Sequence, residues 1–189
     1  IDHTILKSNA TESDVVQLCE EARQHEFFSV CINSAWVPTA RKLLAGSPVK
    51  VCSVIGFPLG AMSTAAKVFE AKQAVDDGAD EIDMVINVGL LKAGQADAVR
   101  DEITALKDAV GSRVLKVIIE TCYLSDAEKV LACKQAVAAG ADFVKTSTGF
   151  HPAGGASVHA VELMAATVGQ RLGVKASGGI RDYATANAM

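Results

Sequence analysis

Aromatic residues are scarce in this 189-residue chain, at 5% of the sequence, whereas apolar residues make up half of it. A core with few aromatic rings relies on Val, Ile, Leu and Ala. That composition is expected of helices packed on parallel strands buried on both faces. The length is sufficient for one substantial hydrophobic core. The composition therefore predicts a globular α/β protein.

The chain also lacks a surplus of positive charge, since its formal net charge is −4. There is no basic field for nucleic acid and no polybasic patch for anionic lipid, so the expected partners are small molecules. No apolar run reaches the length of a membrane span, and the N-terminus has neither region of a signal peptide. The chain begins with Ile1 rather than Met, from which we expect it to be part of a longer polypeptide.

The cysteines lack the C-x-x-C spacing and the accompanying histidines of a zinc site, so no metal is expected. Reduced thiols of this kind are typical of a cytoplasmic protein. There are five of them: Cys19, Cys31, Cys52, Cys122 and Cys133.

Short apolar segments alternate with stretches of helical period seven times, which is the pattern of repeated βα units. The phrase Gly-Ala-Asp recurs at 78–80 and 140–142, each time between a helix and the next strand. No linker or low-complexity run divides the chain, so we expect one domain over residues 1–189. The predicted strands are Ile1–Leu6, Phe28–Asn33, Val49–Phe57, Glu81–Val88, Val114–Thr121, Asp142–Thr148 and Gly173–Gly178.

Charged residues occupy only one face of several predicted strands. Asp83, for example, alternates with the apolar residues Ile82 and Met84. An open sheet has helices on both faces, whereas a barrel leaves the upper part of its inner face to the active site. The pattern therefore predicts a TIM (β/α)₈ barrel, with Val49–Phe57 ambiguous by this test. The charged lumen residues would be Asp2, Asp83, Lys116, Glu120, Lys145 and Lys175.

Two of these lysines, Lys145 and Lys175, are expected at matching heights on neighbouring strands. A neutral lysine amine forms a Schiff base with a carbonyl, and a second cation nearby favours the neutral form. Spacing alone does not say which lysine would form the imine. Asp83 would then act as acid and base, or hold the second lysine charged. The alternatives are a surface-exposed Lys145 or an internal salt-bridge network.

Glycines follow the sixth and seventh predicted strands, where barrels commonly bind phosphate with backbone N–H groups. They are Gly149, Gly154, Gly155, Gly178 and Gly179. Neither a P-loop nor a dinucleotide fingerprint is present. The glycines therefore indicate either a phosphate-binding site or turns of the chain that bind no ligand.

Over nearly its whole length the chain resembles the deoxyribose-phosphate aldolase family. The motifs that carry the resemblance are Asp2–Thr4, Val30–Asn33, Val54–Gly60, Gly78–Val85, Leu115–Thr121, Phe143–Phe150 and Val174–Arg181.

The resemblance implies a class I aldolase without cofactor, which cleaves 2-deoxy-D-ribose 5-phosphate reversibly to D-glyceraldehyde 3-phosphate and acetaldehyde. In this family Lys145 matches the Schiff-base lysine, Lys175 the lysine that promotes its deprotonation, and Asp83 the aspartate of the proton relay. The matching pocket and phosphate residues are Asp2, Thr4, Cys31, Lys116, Thr148, Gly149, Gly178 and Gly179. Expected partners are a sugar phosphate and, in a dimer or tetramer, further copies of the chain.

Two departures from the family affect the phosphate site. Phe150 stands where some members have a lysine. The chain also ends at Met189, in the helix after the seventh strand. The eighth strand and helix of a barrel, including a serine-bearing phosphate loop, are therefore expected to be missing from this sequence. Another Schiff-base barrel, transaldolase-like, and an inactive sugar-phosphate-binding barrel remain the alternative functions.

Overall fold

A computed structural model describes residues 1–152 and 154–189 of the chain. Its centre is one parallel sheet in which the seven strands follow each other in chain order, each paired with the next. The strands are β1 (Asp2–Ile5), β2 (Ser29–Asn33), β3 (Lys50–Ile55), β4 (Glu81–Val85), β5 (Val114–Ile118), β6 (Phe143–Lys145) and β7 (Gly173–Lys175).

Helices lie between the strands, as the periodicity predicts. They are α1 (Glu12–Gln24), α2 (Val37–Leu43), α3 (Thr64–Asp76), α4 (Val88–Lys92), α5 (Ala96–Val110), α6 (Asp126–Ala138), α7 (Val158–Val168) and α8 (Tyr183–Ala188). Short 3₁₀ turns at Ser34–Trp36 and Thr121–Tyr123 precede α2 and α6. No helix in the described part of the chain has the length and apolar content needed to cross a bilayer.

Side chains at the helix ends fix where these elements start and stop. Thr11 and Ser125 each form a capping box with the acidic residue three positions later, so the first turns of α1 and α6 have satisfied N–H groups. Both Gly-Ala-Asp turns use a glycine with positive φ, 107° at Gly78 and 74° at Gly140, where a side chain would be strained. These turns return the chain directly to the next strand.

The two faces of the sheet differ in chemistry. The outer face packs against the helices through fully buried apolar residues such as Ile82, Met84 and Val117. The inner face holds charged residues and a small apolar cluster of Cys31, Cys52 and Val54. This division assigns β3, which was ambiguous from sequence, with Cys52 and Val54 on the inner side.

The sheet is strongly curved. Its first and last strands, β1 and β7, are not hydrogen-bonded neighbours among the described residues, yet the Asp2 carboxylate contacts the Lys175 ammonium across the lumen. Seven βα units thus form a curled, TIM-barrel-like wall around one lumen.

The predicted strands are too long at their carboxyl ends. The predicted strand Glu81–Val88 ends at Val85, because the side chain of Asn87 accepts a hydrogen bond from the Leu90 N–H and caps α4. The apolar run continues into this five-residue helix, so the sequence gives no break between strand and helix. The residues that follow β5, β6 and β7 likewise form loops at the mouth of the lumen.

Candidate active site

The two lysines at the centre of the sequence prediction are direct neighbours in the sheet. Lys145 and Lys175 are register partners at the last positions of β6 and β7. Residues paired in a parallel ladder point to the same face, so both side chains enter the lumen. Lys145 is only 4% exposed, which excludes the alternative of a surface lysine.

Asp83 contacts both lysines from β4, which lies two strands from β6 in the sheet. Its Oδ2 atom lies 2.6 Å from the Nζ atom of Lys145 and 3.1 Å from that of Lys175. Its Oδ1 atom accepts a hydrogen bond of 2.8 Å from Lys116. One fully buried carboxylate therefore pairs with three ammonium groups.

Further acidic groups balance the charge below and beside Asp83. Lys116 Nζ is 2.6 Å from Oε2 of Glu81 and 3.7 Å from the carboxylate of Asp2. Asp2 in turn contacts Lys175. Glu81 was not predicted as a lumen residue, although it shares the face of Asp83 on β4.

These contacts set the protonation states. Burial alone would raise the pKa of Asp83, but Lys145, Lys116 and Lys175 reverse this and hold it well below 3.8. Burial opposes the charged form of Lys116 and Lys175, yet the surrounding anionic groups raise the pKa of both lysines above 10.5. Lys175 is thus held as a cation, and Asp83 as a carboxylate, at neutral pH.

Two thiols line the wall next to Asp83. Cys31 and Cys52 are register partners on β2 and β3, and Cys52 donates a hydrogen bond of 3.2 Å to Asp83 Oδ1. The Cys52 thiol, followed by Lys145 and Lys175, lowers the pKa of Cys31 to about 7 against the opposing effect of burial. Cys52 was not predicted as a site residue, because the apolar run of β3 has no polar alternation from which to assign its faces.

The same residues include a possible metal-ligand set. One ligand atom from each of Cys31, Cys52 and Asp83 lies within 4.8 Å of the others. The ammonium groups that pair with Asp83 would repel a divalent cation at this point. The donor set therefore fits the lysine network better than a metal ion.

Thr4 lies at the rim of the site. It is the register partner of Cys31, so it shares the inner face, but it is exposed and its hydroxyl donates to the Asp2 carbonyl oxygen at 2.8 Å. The predicted pocket residues Asp2, Thr4, Cys31 and Lys116 thus all lie on the lumen side.

The glycines that follow β6 and β7 come together in one turn cluster. Gly149 and Gly178 have φ values of 81° and 85°, and a Cβ atom on Gly178 would lie 3.1 Å from Gly155 Cα and 3.3 Å from Gly149 Cα. Only glycine permits this approach. In the described part of the chain, the N–H groups of Gly149, Gly178 and Gly179 form no hydrogen bond, so they are available to an anion.

Glu120 holds the loop after β6 from the other side. Its carboxylate is 4% exposed and accepts hydrogen bonds from the N–H and the hydroxyl of Thr148. The Thr148 hydroxyl oxygen also accepts from the Phe150 N–H at 3.2 Å. Thr148 is thus engaged with Glu120 through both of its donors.

A cavity of about 320 Å³ opens at the carboxyl ends of β4, β5 and β6. Val85, Glu120 and Thr148 line it, together with apolar residues that include Leu59, Tyr123 and Phe150. Phe150 packs edge-on against Phe57, with ring centroids 5.1 Å apart. The position that carries lysine in some related proteins is therefore part of an apolar wall here.

A curled wall of parallel βα units, with buried lysines at the carboxyl ends of its strands, defines the chain as a barrel enzyme. The family model described as DeoC/LacD family aldolase matches residues 1–188, and the chain belongs to that family. It is therefore an aldolase, which places it among the lyases.

Individual relatives agree with this assignment. The chain is 57% identical over 189 residues to the deoxyribose-phosphate aldolase of Brevibacillus brevis, covering 100% of this chain and 85% of the relative. The solved structure of QR15, an aldolase, superposes with a TM-score of 0.95 at 41% identity, covering 100% of this chain and 84% of that one. A tetrameric deoxyribose phosphate aldolase from Aeropyrum pernix gives a TM-score of 0.90 at 35% identity, with coverages of 99% and 79%.

Proposed function

We propose that this chain is a class I aldolase that cleaves 2-deoxy-D-ribose 5-phosphate reversibly to D-glyceraldehyde 3-phosphate and acetaldehyde. One observation carries the proposal: Lys145 and Lys175 are register partners on neighbouring strands, and both contact the same oxygen of the buried Asp83. A salt-bridge network built for stability alone has no need for two adjacent lysines on one carboxylate oxygen.

Lys145 is the proposed nucleophile. Its neutral amine attacks the C1 carbonyl of the open-chain sugar to give a carbinolamine. Loss of water and uptake of one proton through the Asp83 relay then give a protonated imine. The imine withdraws electrons as the bond between C2 and C3 breaks, while the C3 hydroxyl loses its proton and becomes the aldehyde of glyceraldehyde 3-phosphate. The remaining enamine takes a proton at C2, and hydrolysis releases acetaldehyde and the free amine. The imine is the electron sink, so the proposed reaction needs no cofactor.

Lys175 and Asp83 have supporting roles in this proposal. Lys175 stays charged because its pKa is raised. Its ammonium group contacts the same Asp83 oxygen as Lys145, and this neighbouring positive charge favours loss of the proton from the Lys145 amine. Asp83 holds Lys175 in place and relays protons between the lysines and the substrate. Lys116 fixes the other oxygen of Asp83.

The substrate phosphate would bind at the glycine turns. The free N–H groups of Gly149, Gly178 and Gly179 supply donors for an anion, and the cluster lies directly after the strands of the two lysines. A sugar phosphate with its carbonyl carbon at Lys145 would thus have its phosphate at these turns. The chain would work as a homo-oligomer, as the Aeropyrum pernix enzyme does, and its compartment would be the cytoplasm.

Borohydride trapping tests the covalent step. Incubation with acetaldehyde and sodium borohydride should reduce the imine to an N-ethyl lysine, and peptide mass analysis should find this adduct at Lys145. Exposed lysines such as Lys42 provide an internal control for non-specific reaction. A Lys175→Leu variant should still form the adduct at Lys145, but more slowly at neutral pH.

Two results would contradict the proposal. An adduct at Lys175 or Lys116 in place of Lys145 would reassign the nucleophile. Binding of the sugar phosphate without any adduct would instead favour a binding protein that retains the barrel.

A further inference from the structure

We propose that Glu120 is the positioning residue of the phosphate-binding turn. By engaging Thr148, it fixes the start of the turn so that the N–H of Gly149 stays free for the phosphate of the substrate. The inference deepens the proposed function and rests on it.

The Glu120 carboxylate accepts its hydrogen bonds mainly from one residue, with one further, weaker bond from the Cys122 thiol at 3.7 Å. The carboxylate accepts a hydrogen bond from the Thr148 N–H, 3.2 Å from Oε2, and a second from the Thr148 hydroxyl. The Thr148 hydroxyl oxygen accepts the N–H of Phe150. The N–H groups on both sides of Gly149 are therefore occupied, which leaves the Gly149 N–H as the free donor of this turn in the described structure.

The backbone at Glu120 is held in an uncommon conformation. Its φ of 53° and ψ of 69° lie in the left-handed region, which residues other than glycine, Asn and Asp seldom adopt. Both neighbours are tied to β6 and its loop, since Ile119 N–H donates to the Lys145 carbonyl and Thr121 N–H to that of Thr146. The surrounding structure thus imposes a strained conformation at the residue whose side chain holds Thr148.

The burial of Glu120 also needs an explanation. The described part of the chain provides no Lys, Arg or His in an ion pair with this carboxylate, although it is nearly fully buried and lines the cavity. A buried charge without a counterion is unfavourable for folding. A second hydrogen bond holds the same loop from the β7 side without any charge. In it the Ser177 hydroxyl donates to the Ser147 carbonyl oxygen over 2.6 Å. A carboxylate is therefore not required merely to tie loops together here.

Variants at this position separate positioning from general stability. Glu120→Gly accepts the left-handed backbone and removes the carboxylate, and Glu120→Asp keeps the charge but withdraws it from Thr148. Since loss of a hydrogen bond to a charged group corresponds to roughly a tenfold effect, each should raise KM for 2-deoxy-D-ribose 5-phosphate about tenfold. Glu120→Gln keeps an acceptor oxygen at the same reach and should restore KM to within about threefold of wild type.

The readout must distinguish the phosphate from the rest of the substrate. For unphosphorylated 2-deoxy-D-ribose, which makes no use of the turn, kcat/KM should fall clearly less than for the phosphorylated sugar in Glu120→Gly and Glu120→Asp, because only the phosphorylated substrate loses a contact at the turn. Glu12→Gln serves as the matched control, since Glu12 is an exposed residue in the first turn of α1; its KM for the phosphorylated substrate should equal that of wild type.

Three outcomes would overturn the inference: equal losses for the phosphorylated and unphosphorylated sugars, an unchanged KM in Glu120→Asp, or a Glu120→Gln variant as impaired as Glu120→Gly. Failure of the proposed function would look different. In that case the wild-type chain itself would form no borohydride-trapped adduct with acetaldehyde, whereas the positioning role leaves this adduct unchanged in every variant.

Discussion

Asp83 pairs with three lysines through its two oxygen atoms, so a change at this residue affects the whole lysine network. In an Asp83→Asn variant the three lysines lose their shared counterion, and the proton relay loses its carboxylate. Imine formation at Lys145 should continue, since it requires only the amine. Turnover should fall about 10²- to 10⁴-fold, the usual contribution of acid–base catalysis. Comparing borohydride trapping with steady-state kcat checks this prediction.

The same variant should show a characteristic dependence of stability on pH. The pKa of Asp83 is lowered well below 3.8 in the folded chain, so its contribution is complete above 3.8 and is lost as the pH falls through the lowered value. The difference in unfolding free energy between wild type and Asp83→Asn should therefore be largest at neutral pH and shrink below 3.8. Urea titrations at several pH values measure it. A difference that stays constant with pH, or an unaltered kcat, would contradict the role of Asp83.

At the scale of single elements, the turn after β7 depends on the absence of a side chain. In Gly178→Ala, the new Cβ would meet backbone atoms of Gly155 and Gly149 at 3.1 and 3.3 Å, in addition to the strain of a φ of 85°. The turn must then shift, and we expect KM for the phosphorylated sugar to rise while acetaldehyde trapping persists. Steady-state kinetics with both substrates checks this.

Gly140→Ala is a matched control for the backbone strain. Gly140 has a φ of 74°, but a Cβ there would meet nothing within 4 Å. It should lose about 1 kcal/mol of stability with no change in KM, since only the left-handed conformation is penalised. Equal KM values for the two variants would show that the turn does not contact the phosphate.

The elements were predictable from sequence where local signals are strong. Capping residues such as Thr11 and Ser125 mark the starts of α1 and α6. In β4 the polar residues alternate with apolar ones, so the face that carries Asp83 was assigned correctly. Cys52 could not be assigned, because the residues of β3 from Val51 to Ile55 are apolar or uncharged on both faces. The role of Glu120 was also hidden, since its contact with Thr148 joins residues 28 positions apart and depends on a left-handed backbone.

At the scale of the whole molecule, a second buried charge pair lies outside the lumen. Lys67 on α3 is fully buried, with its Nζ atom 2.7 Å from Glu102 on α5 and 2.8 Å from the Val85 carbonyl oxygen. Glu102 also accepts the N–H of Asn87 at 3.1 Å. The pair thus connects two outer helices with the end of β4, directly beyond Asp83.

Breaking this pair should destabilise the molecule without changing its chemistry. Lys67→Met leaves Glu102 buried without a cation, and we expect a loss of about 3–5 kcal/mol in unfolding free energy. The double variant Lys67→Met, Glu102→Leu should recover most of that loss, because neither charge remains buried alone. Urea unfolding of wild type, single and double variants measures both values. A double variant no more stable than the single one would show that the pair acts by shape rather than by charge.

The contact between Asp2 and Lys175 joins residues 173 positions apart, across the gap between the first and the seventh strand. Such a long loop closes late and only when the intervening units are in place, because each unit packs on its neighbours and loop closure carries an entropic cost. Lys175 therefore gains its full set of partners only in a chain that has curled completely. We therefore expect the lumen to reach its final electrostatic environment late in refolding, so that recovery of activity would follow recovery of the secondary structure.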